Sequence, residues 1–213
     1  MIKTILVTAA LALFGFALGG IPTSHLIASR KHIDLSRRGS GNLGATNLSR
    51  ALGWRLGFLV GVLDVLKGVF PSLVALLIFG LPETALLFVG MLTILGHVYT
   101  PYLRSHKGGK GVATGAGVIA VLFPSAILFG LFVFFSVALV SRYVSLASMT
   151  TYLLLIPYYV TRAHILKLGV EYDKLIFLVI LFLLIIATHK ENAIRLMQHT
   201  EPRFSLSSEK ENV

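Results

Sequence analysis

The sequence predicts an all-α polytopic bundle embedded in a membrane, with about seven spans, the N-terminus external and the C-terminus cytoplasmic. Three observations carry that reading. Of 213 residues, 55% are hydrophobic and only 13% charged, whereas about a quarter are charged in a soluble domain. The mean hydropathy is +0.83, and the apolar residues gather in runs of roughly 17 to 25, the length at which a helix crosses the hydrocarbon core. The net charge of +10 falls between those runs, because a lone charge at mid-bilayer costs roughly 3 kcal/mol or more.

The first run extends from Thr4 to Ala28. Its opening, Ile5 to Leu18 with Ala17-Leu18-Gly19, has the form of a secretory signal, but the apolar stretch continues past Pro22 and is read as a span. Arg30, Lys31, Arg37, Arg38, Arg50 and Arg55 follow, which places this segment inside by the positive-inside rule. The second span is Leu56 to Phe79, turning at Gly80-Leu81-Pro82-Glu83, and the third, Thr84 to Leu103, delivers Arg104, His106, Lys107 and Lys110 to the same side. Val112 to Val140 is long for one span and short for two. Pro124 divides it into a short fourth element and a fifth, and parity then makes Ser145 to Val160 and Lys174 to Thr188 the sixth and seventh. Residues 1–201 are expected to form one domain, because no repeat or linker divides them. The polar stretch 202–213, rich in Ser and Glu, is expected to be disordered.

The absence of cysteine excludes a disulfide framework, a thiol nucleophile and a thiolate metal site. The chemistry must lie in three polar clusters. In Arg38-Gly-Ser-Gly-Asn-Leu-Gly-Ala-Thr-Asn-Leu-Ser-Arg50, three glycines free the backbone to aim N–H donors at an anion. Ser40, Asn42, Thr46 and Asn47 add short polar groups, and Arg38 and Arg50 flank the loop. A plain glycine-rich surface loop is the alternative. In Lys107-Gly-Gly-Lys-Gly-Val-Ala-Thr114, Gly108, Gly109 and Gly111 expose donors beside two lysines just before a helix, a combination that suits phosphate. It is not a nucleotide P-loop, because Gly109-Lys110 is followed by Gly111 rather than Ser or Thr. In the third cluster, His189, Asn192 and Arg195 share one face if the helix continues, and a polar helix end is the bland alternative.

Two features lie inside the spans. Asp64 and Lys67, three apart, can pair as a structural brace or support the site. His97 reads as a hydrogen-bonded core residue. Tyr143, Ser145 and Ser148 form a further patch able to line the same cavity.

Together these clusters resemble the three motifs of the bacterial acyl-phosphate:glycerol-3-phosphate acyltransferase (PlsY) family. The matching residues are Gly39-Ser-Gly-Asn-x-Gly-Ala-Thr-Asn-x-x-Arg50, Lys107 to Thr114 and His189-x-x-Asn-x-x-Arg-Leu196, with Ile21-Pro22, Leu63 to Gly68, Gly96-His97 and Tyr143 to Ser148 beside them. Gly20 and Ala193 depart from the family's usual Ser and Ile without removing a polar group. The resemblance implies a seven-helix enzyme of the bacterial inner membrane, active on its cytoplasmic face. It would transfer a fatty acyl group from acyl phosphate to the sn-1 hydroxyl of glycerol 3-phosphate, giving lysophosphatidic acid and phosphate. It implies that Ser40, Arg50, Lys110 and His189 hold glycerol 3-phosphate. Gly44, Ala45, Thr46 and Asn47, with Gly108 and Gly109, would hold acyl phosphate, with Asn192 positioning the reacting groups. Asn42, Ser145 and Ser148 complete the expected substrate contacts. Ser40, Lys110, His189 and Asn192 are the expected catalytic set. No cofactor, metal or nucleic acid is expected, and the partners are the two substrates and membrane lipid. An acyltransferase built on His-x-x-x-x-Asp is excluded, since no histidine here has Asp five residues later. A transporter of organic phosphates is the main rival, against which the lack of internal repeats and the one-sided placement of the clusters tell.

Overall fold

A computed structural model describes residues 1–105 and 107–203. His106 and residues 204–213 of the stretch 202–213 expected to be disordered lie outside the described residues, whereas Pro202 and Arg203 are described. All regular structure among the described residues is helical: α1 (Ile2–Gly20), α2 (Thr23–Ser29), α3 (Ala45–Leu52), α4 (Trp54–Leu73), α5 (Glu83–Val98), α6 (Val112–Leu122), α7 (Pro124–Ser141), α8 (Val144–Ile165), α9 (Tyr172–Thr188) and α10 (Lys190–Met197), with a short 3-10 helix at Leu35–Arg37 and a π-helical turn at Val74–Ile78 that prolongs α4.

By length and composition four segments can cross a membrane: Ile2–Ser29, Trp54–Ile78, Pro124–Ser141 and Val144–Ile165. The α9–α10 pair, bent by 60°, makes a fifth candidate, and α5 and α6 are shorter apolar helices. The outward faces carry exposed Phe58, Leu128, Phe132, Leu139 and Leu183, as expected of lipid-facing surface.

Breaks in the helices follow the sequence. Pro22, which lacks an N–H, separates α1 from α2, and Pro124 starts α7 two residues after α6 ends. The third apolar run is helical only to Val98, where Tyr99, Thr100 and Pro101 turn the chain. The sixth continues beyond Val160 to Ile165, carrying Arg162 and His164 at its exposed end.

Close backbone approach locks the long helices together. Gly15 and Gly19 of α1 face Thr93 and His97 of α5, and Gly96 faces the Phe16 carbonyl. A Cβ on Gly19 or Gly96 would collide with the partner backbone, as at other small-residue interfaces in membranes. Gly68 of α4 and Gly117 of α6 meet in the same way, against the Thr114 and Val65 carbonyls. Around these contacts, Ile94, Val118, Leu178, Leu181 and Ile185 form the main apolar core. A smaller core of Ala28, Leu35, Leu48 and Val60 seats α3 against α2 and α4.

A charged pair lies buried within this bundle. Lys67 Nζ donates to Asp64 Oδ1 (2.6 Å), the Ile21 carbonyl (2.6 Å) and Thr23 Oγ1 (3.1 Å), and Thr23 Oγ1 donates to Asp64 Oδ1 (2.8 Å). Ile21 thus has its carbonyl taken up where Pro22 breaks the helix, so the pair ties the α1–α2 break to α4. Removing one partner strands the other's charge, so Asp64→Ala is expected to destabilise the protein by about 3–5 kcal/mol. The apolar pair Asp64→Leu with Lys67→Met should recover most of that loss. Thermal melting of the purified single and double variants measures both.

Candidate active site

The Arg38 to Arg50 loop is shaped from within. Gly39 and Gly41 have φ of 54° and 68°, the left-handed region that side chains disfavour. Asn47, buried at the start of α3, reaches back under the loop: its Nδ2 donates to the Leu35 (3.2 Å) and Arg38 (3.0 Å) carbonyls, and its Oδ1 accepts from the Ser40 N–H (3.1 Å). Ser24 of α2 donates to the Leu43 carbonyl (2.6 Å). These bonds hold Gly44 at the N-cap of α3, so the first N–H groups of that helix have no partner within it.

The second loop is held from the other side of the bundle. Thr188 Oγ1 at the end of α9 donates to the Lys110 carbonyl (3.1 Å), and Tyr152 of α8 donates to the Val112 carbonyl (2.7 Å). Gly111, at φ 84°, caps α6. Gly108 and Gly109 turn inward: their N–H groups donate to the Val98 (2.9 Å) and His97 (3.0 Å) carbonyls at the end of α5. A Cβ on either would meet His97. The donors that the sequence assigned to an anion at these two positions are therefore engaged within the protein, and both residues line a separate small cleft with Thr23, Lys67 and Thr100.

The third cluster departs from its expected geometry. The helix does not continue through it, because α9 ends at Thr188 and α10 starts at Lys190 with a 60° bend. His189 occupies the joint, and Asn192 lies in the first turn of α10.

All three clusters meet at one cavity of about 230 Å³. Ser40, Asn42, Gly44, Ala45, Thr46, Asn47, Arg50, Lys110, Ser145, Ser148, His189 and Asn192 line it, together with Asp64, His97, Val112, Ala113, Phe134, Val144 and Glu201. Of the expected substrate contacts only Gly108 and Gly109 lie elsewhere. The N-termini of α3, α6, α8 and α10 all contribute lining residues, so four positive helix ends face one space.

Electrostatics follow from this crowding. Burial drives the Lys110 amine down to about 8, an effect partly opposed by the Glu201 carboxylate. Burial likewise lowers Arg50. His189 falls to about 4 through burial and the nearby Lys110 charge, so its ring is neutral at ordinary pH. Its Nδ1 lies 2.8 Å from the Ile185 carbonyl. Because a carbonyl only accepts, Nδ1 carries the proton and Nε2 keeps its lone pair. Lys110 Nζ donates to Asn192 Oδ1.

Glu201 is the residue that the sequence reading missed. It is buried beside the cavity, accepting from Ser145 Oγ (2.7 Å), Asn192 Nδ2 (2.6 Å) and Arg195 Nε (2.8 Å). Burial would raise its pKa, but these bonds and the Arg195 charge hold it below the usual carboxylate value. Nothing in the local pattern marks it, as its partners come from α8 and α10. Among the described residues the one group with ligand spacing for a metal is Glu83, Glu171 and Asp173. It sits at the opposite ends of α5 and α9 from the cavity, with Lys174 bonded to both glutamates at 2.6 Å.

A membrane-embedded helical bundle whose cations, neutral histidine and helix N-termini converge on one cavity is built to bind and react phosphorylated molecules. Comparison with known proteins narrows that class: residues 9–199 match the family model for glycerol-3-phosphate acyltransferase, and the chain belongs to that family of enzymes. It is 41% identical over 194 residues to the glycerol-3-phosphate acyltransferase of Aquifex aeolicus, covering 91% of this chain and 97% of that one. The glycerol-3-phosphate acyltransferase of Myxococcus xanthus is 39% identical over 198 residues, covering 92% of this chain and 100% of that one. Among solved structures, the glycerol 3-phosphate form of PlsY (YgiH), an integral membrane glycerol 3-phosphate acyltransferase, superposes with a TM-score of 0.86 at 40% identity. It covers 93% of this chain and 96% of the other. The lysophosphatidic acid form gives 0.82 at 39%, with the same coverage of 93% and 96%.

Because Asn47 spends both ends of its amide inside the loop, Asn47→Ala should collapse the first cradle. The expected result is a loss of about tenfold or more in kcat/KM for glycerol 3-phosphate with a folded, inserted protein, read by steady-state kinetics beside a melting curve.

Proposed function

We propose that this chain transfers a fatty acyl group from acyl phosphate to the sn-1 hydroxyl of glycerol 3-phosphate, releasing lysophosphatidic acid and inorganic phosphate. The observation that carries the reading is the convergence of Arg50, Lys110 and four helix N-termini on a single cavity. Those cations and helix ends suit two phosphorylated substrates held side by side. In the same reading α1–α2, α4, α5, α6, α7, α8 and α9 are seven spans of the bacterial inner membrane, with the N-terminus outside and the cavity and C-terminus on the cytoplasmic face. The basic residues Arg30, Lys31, Arg37, Arg38, Arg104 and Lys107 lie at the cavity end of the bundle and support that orientation.

In the proposed arrangement Arg50 and Lys110 hold the phosphate of glycerol 3-phosphate with the Ser40 hydroxyl. The N-terminus of α3, from Gly44 through Thr46, receives the acyl phosphate, with the start of α6 beside it. Asn47 and Gly109 serve from behind, through the loop backbone and through His97. The His189 Nε2 lone pair accepts a hydrogen bond from the attacking hydroxyl and orients it. The hydroxyl oxygen then bonds to the acyl carbon, the bond from that carbon to the phosphate oxygen breaks, and the proton passes to a phosphate oxygen. A mixed anhydride carries its own leaving group, so orientation and charge stabilisation suffice. The protein's carboxylates near the cavity are otherwise committed: Asp64 to Lys67 and Thr23, Glu201 to Ser145, Asn192 and Arg195.

Purified protein incubated with acyl phosphate and labelled glycerol 3-phosphate should yield labelled lysophosphatidic acid. Uptake of label into sealed vesicles with no acylated product would favour a transporter instead. Lys110→Ala should lower kcat/KM by about a hundredfold or more without loss of folding, and near-normal turnover would remove Lys110 from the mechanism.

The pH profile follows from the Lys110 amine. A lysine depressed to about 8 is protonated below that pH and neutral above it, so kcat/KM should fall as pH rises through about 8. Bound phosphate favours the charged form, so the alkaline limb of kcat should lie higher than that of kcat/KM.

A further inference from the structure

Behind the main cavity lies a cleft of about 10 Å³, walled by Gly20, Thr23, Lys67, Thr100, Gly108 and Gly109. Among the described residues His97 alone lines both spaces, so its imidazole is the partition between them. The ring stands in the last turn of α5 and is only 8% exposed. On one side its Nδ1 lies 3.9 Å from Asp64 Oδ1, too far for a hydrogen bond. On the other side its Nε2 edge fills the place that a side chain at residue 109 would take. A Cβ on Gly109 would stand 2.8 Å from Cε1 and 3.1 Å from Cδ2, and closer still to Nε2. The ring is thus wedged between a carboxylate and a bare Cα, and both its backing and its root are fixed. Asp64 is tied to Lys67 and Thr23. The His97 backbone is pinned to α1, where a Cβ on Gly19 would meet the Thr93 carbonyl and the His97 nitrogen, and Thr100 Oγ1 donates to the Gly20 carbonyl.

The turn that the ring touches carries the lysine. Gly108 and Gly109 donate to the Val98 and His97 carbonyls, Lys110 follows directly, and Thr188 holds the Lys110 carbonyl from the far side. The two backbone bonds fix where the turn sits along α5, and the ring fixes how far it can lean toward α4. We propose that His97 is a positioning residue for acyl transfer, the spacer that sets the depth of the Gly108–Gly109 turn and, through it, the place of the Lys110 ammonium. This rests on the reading of Lys110 given under Proposed function. His97 acts through the shape of its ring. Without that ring the cleft and the cavity join, the turn leans toward Asp64, and Lys110 is drawn away from the bound phosphate. A displacement of about 1 Å in a group that orients reactants costs on the order of a hundredfold in rate. The two glycines of the turn are then distinguished by what each one faces. Gly109 faces the His97 side chain, whereas Gly108 faces the His97 backbone carbonyl. Only the first contact can be relieved by changing residue 97.

That difference supplies the test. The variants are His97→Ala, Gly109→Ala, Gly108→Ala, the pairs of His97→Ala with each glycine substitution, and Lys110→Ala as reference. Each is assayed with palmitoyl phosphate and glycerol 3-phosphate in steady state, alongside a melting curve. His97→Ala should fold and lose about tenfold or more in kcat/KM for glycerol 3-phosphate, while the KM for palmitoyl phosphate moves by less than about twofold. Gly109→Ala should lose about a hundredfold, and adding His97→Ala to it should recover about tenfold or more, because the ring that the new methyl strikes is gone. Adding His97→Ala to Gly108→Ala should recover nothing. Near wild-type activity of His97→Ala or of Gly109→Ala would overturn the proposal, as would a Gly109 pair no better than Gly109→Ala, equal recovery in both pairs, or an equal rise of KM for both substrates. If Gly109→Ala alone fails to fold, its pair decides: activity at the level of His97→Ala upholds the proposal, and a further loss of about tenfold or more overturns it. If His97→Ala fails to fold, His97→Asn, which trims the Cε1–Nε2 edge, takes its place throughout. Failure of both assigns His97 to holding the bundle together rather than to positioning. If Lys110→Ala keeps normal activity, the reading of the site itself falls, and this inference with it.

Discussion

Positive charge gathered where water is scarce is the constraint on which this structure depends. Arg50, Lys110, Arg195 and four helix N-termini converge on one rim of the bundle, and without counter-charge they repel one another. Burial already shows its effect in the depressed Lys110 and Arg50. Glu201 supplies part of the compensation, and a phosphorylated ligand supplies the rest. The site is therefore least satisfied when empty, which is how a binding site draws affinity from its own electrostatics.

The fold serves this arrangement by rigidity. Glycine contacts between α1 and α5, and between α4 and α6, bring the helix backbones into direct contact behind the cavity. The Asp64–Lys67 pair stitches the Pro22 break to α4 directly behind the cavity. Hydrogen bonds from Thr188 and Tyr152 set the start of α6 at a fixed depth. Catalysis that depends on orienting two substrates more than on a strong base gains most from walls that do not move.

Much of this was legible in the sequence. Pro124 disclosed the division of a long apolar stretch, and the glycines of the first loop disclosed a backbone cradle, because each acts locally through its own torsions. What escaped was set by tertiary contacts. Gly108 and Gly109 read as free donors, yet the end of α5 lies against them and takes up their N–H groups. Asn47 lines the cavity, and its buried amide also braces the loop, a role no local pattern discloses. Glu201 lay unmarked at the edge of a polar tail. Only the bend at His189 and the return of the chain toward α8 bring it to Ser145 and Asn192.

The central claim is that the cavity recognises phosphate through charge that is incompletely balanced when the site is empty. The most direct measurement is the melting temperature of the purified protein as glycerol 3-phosphate is added, with glycerol as the uncharged control. A saturable rise with glycerol 3-phosphate, weakened by salt and absent with glycerol, is the predicted result. No rise, or an equal rise with glycerol, would contradict it.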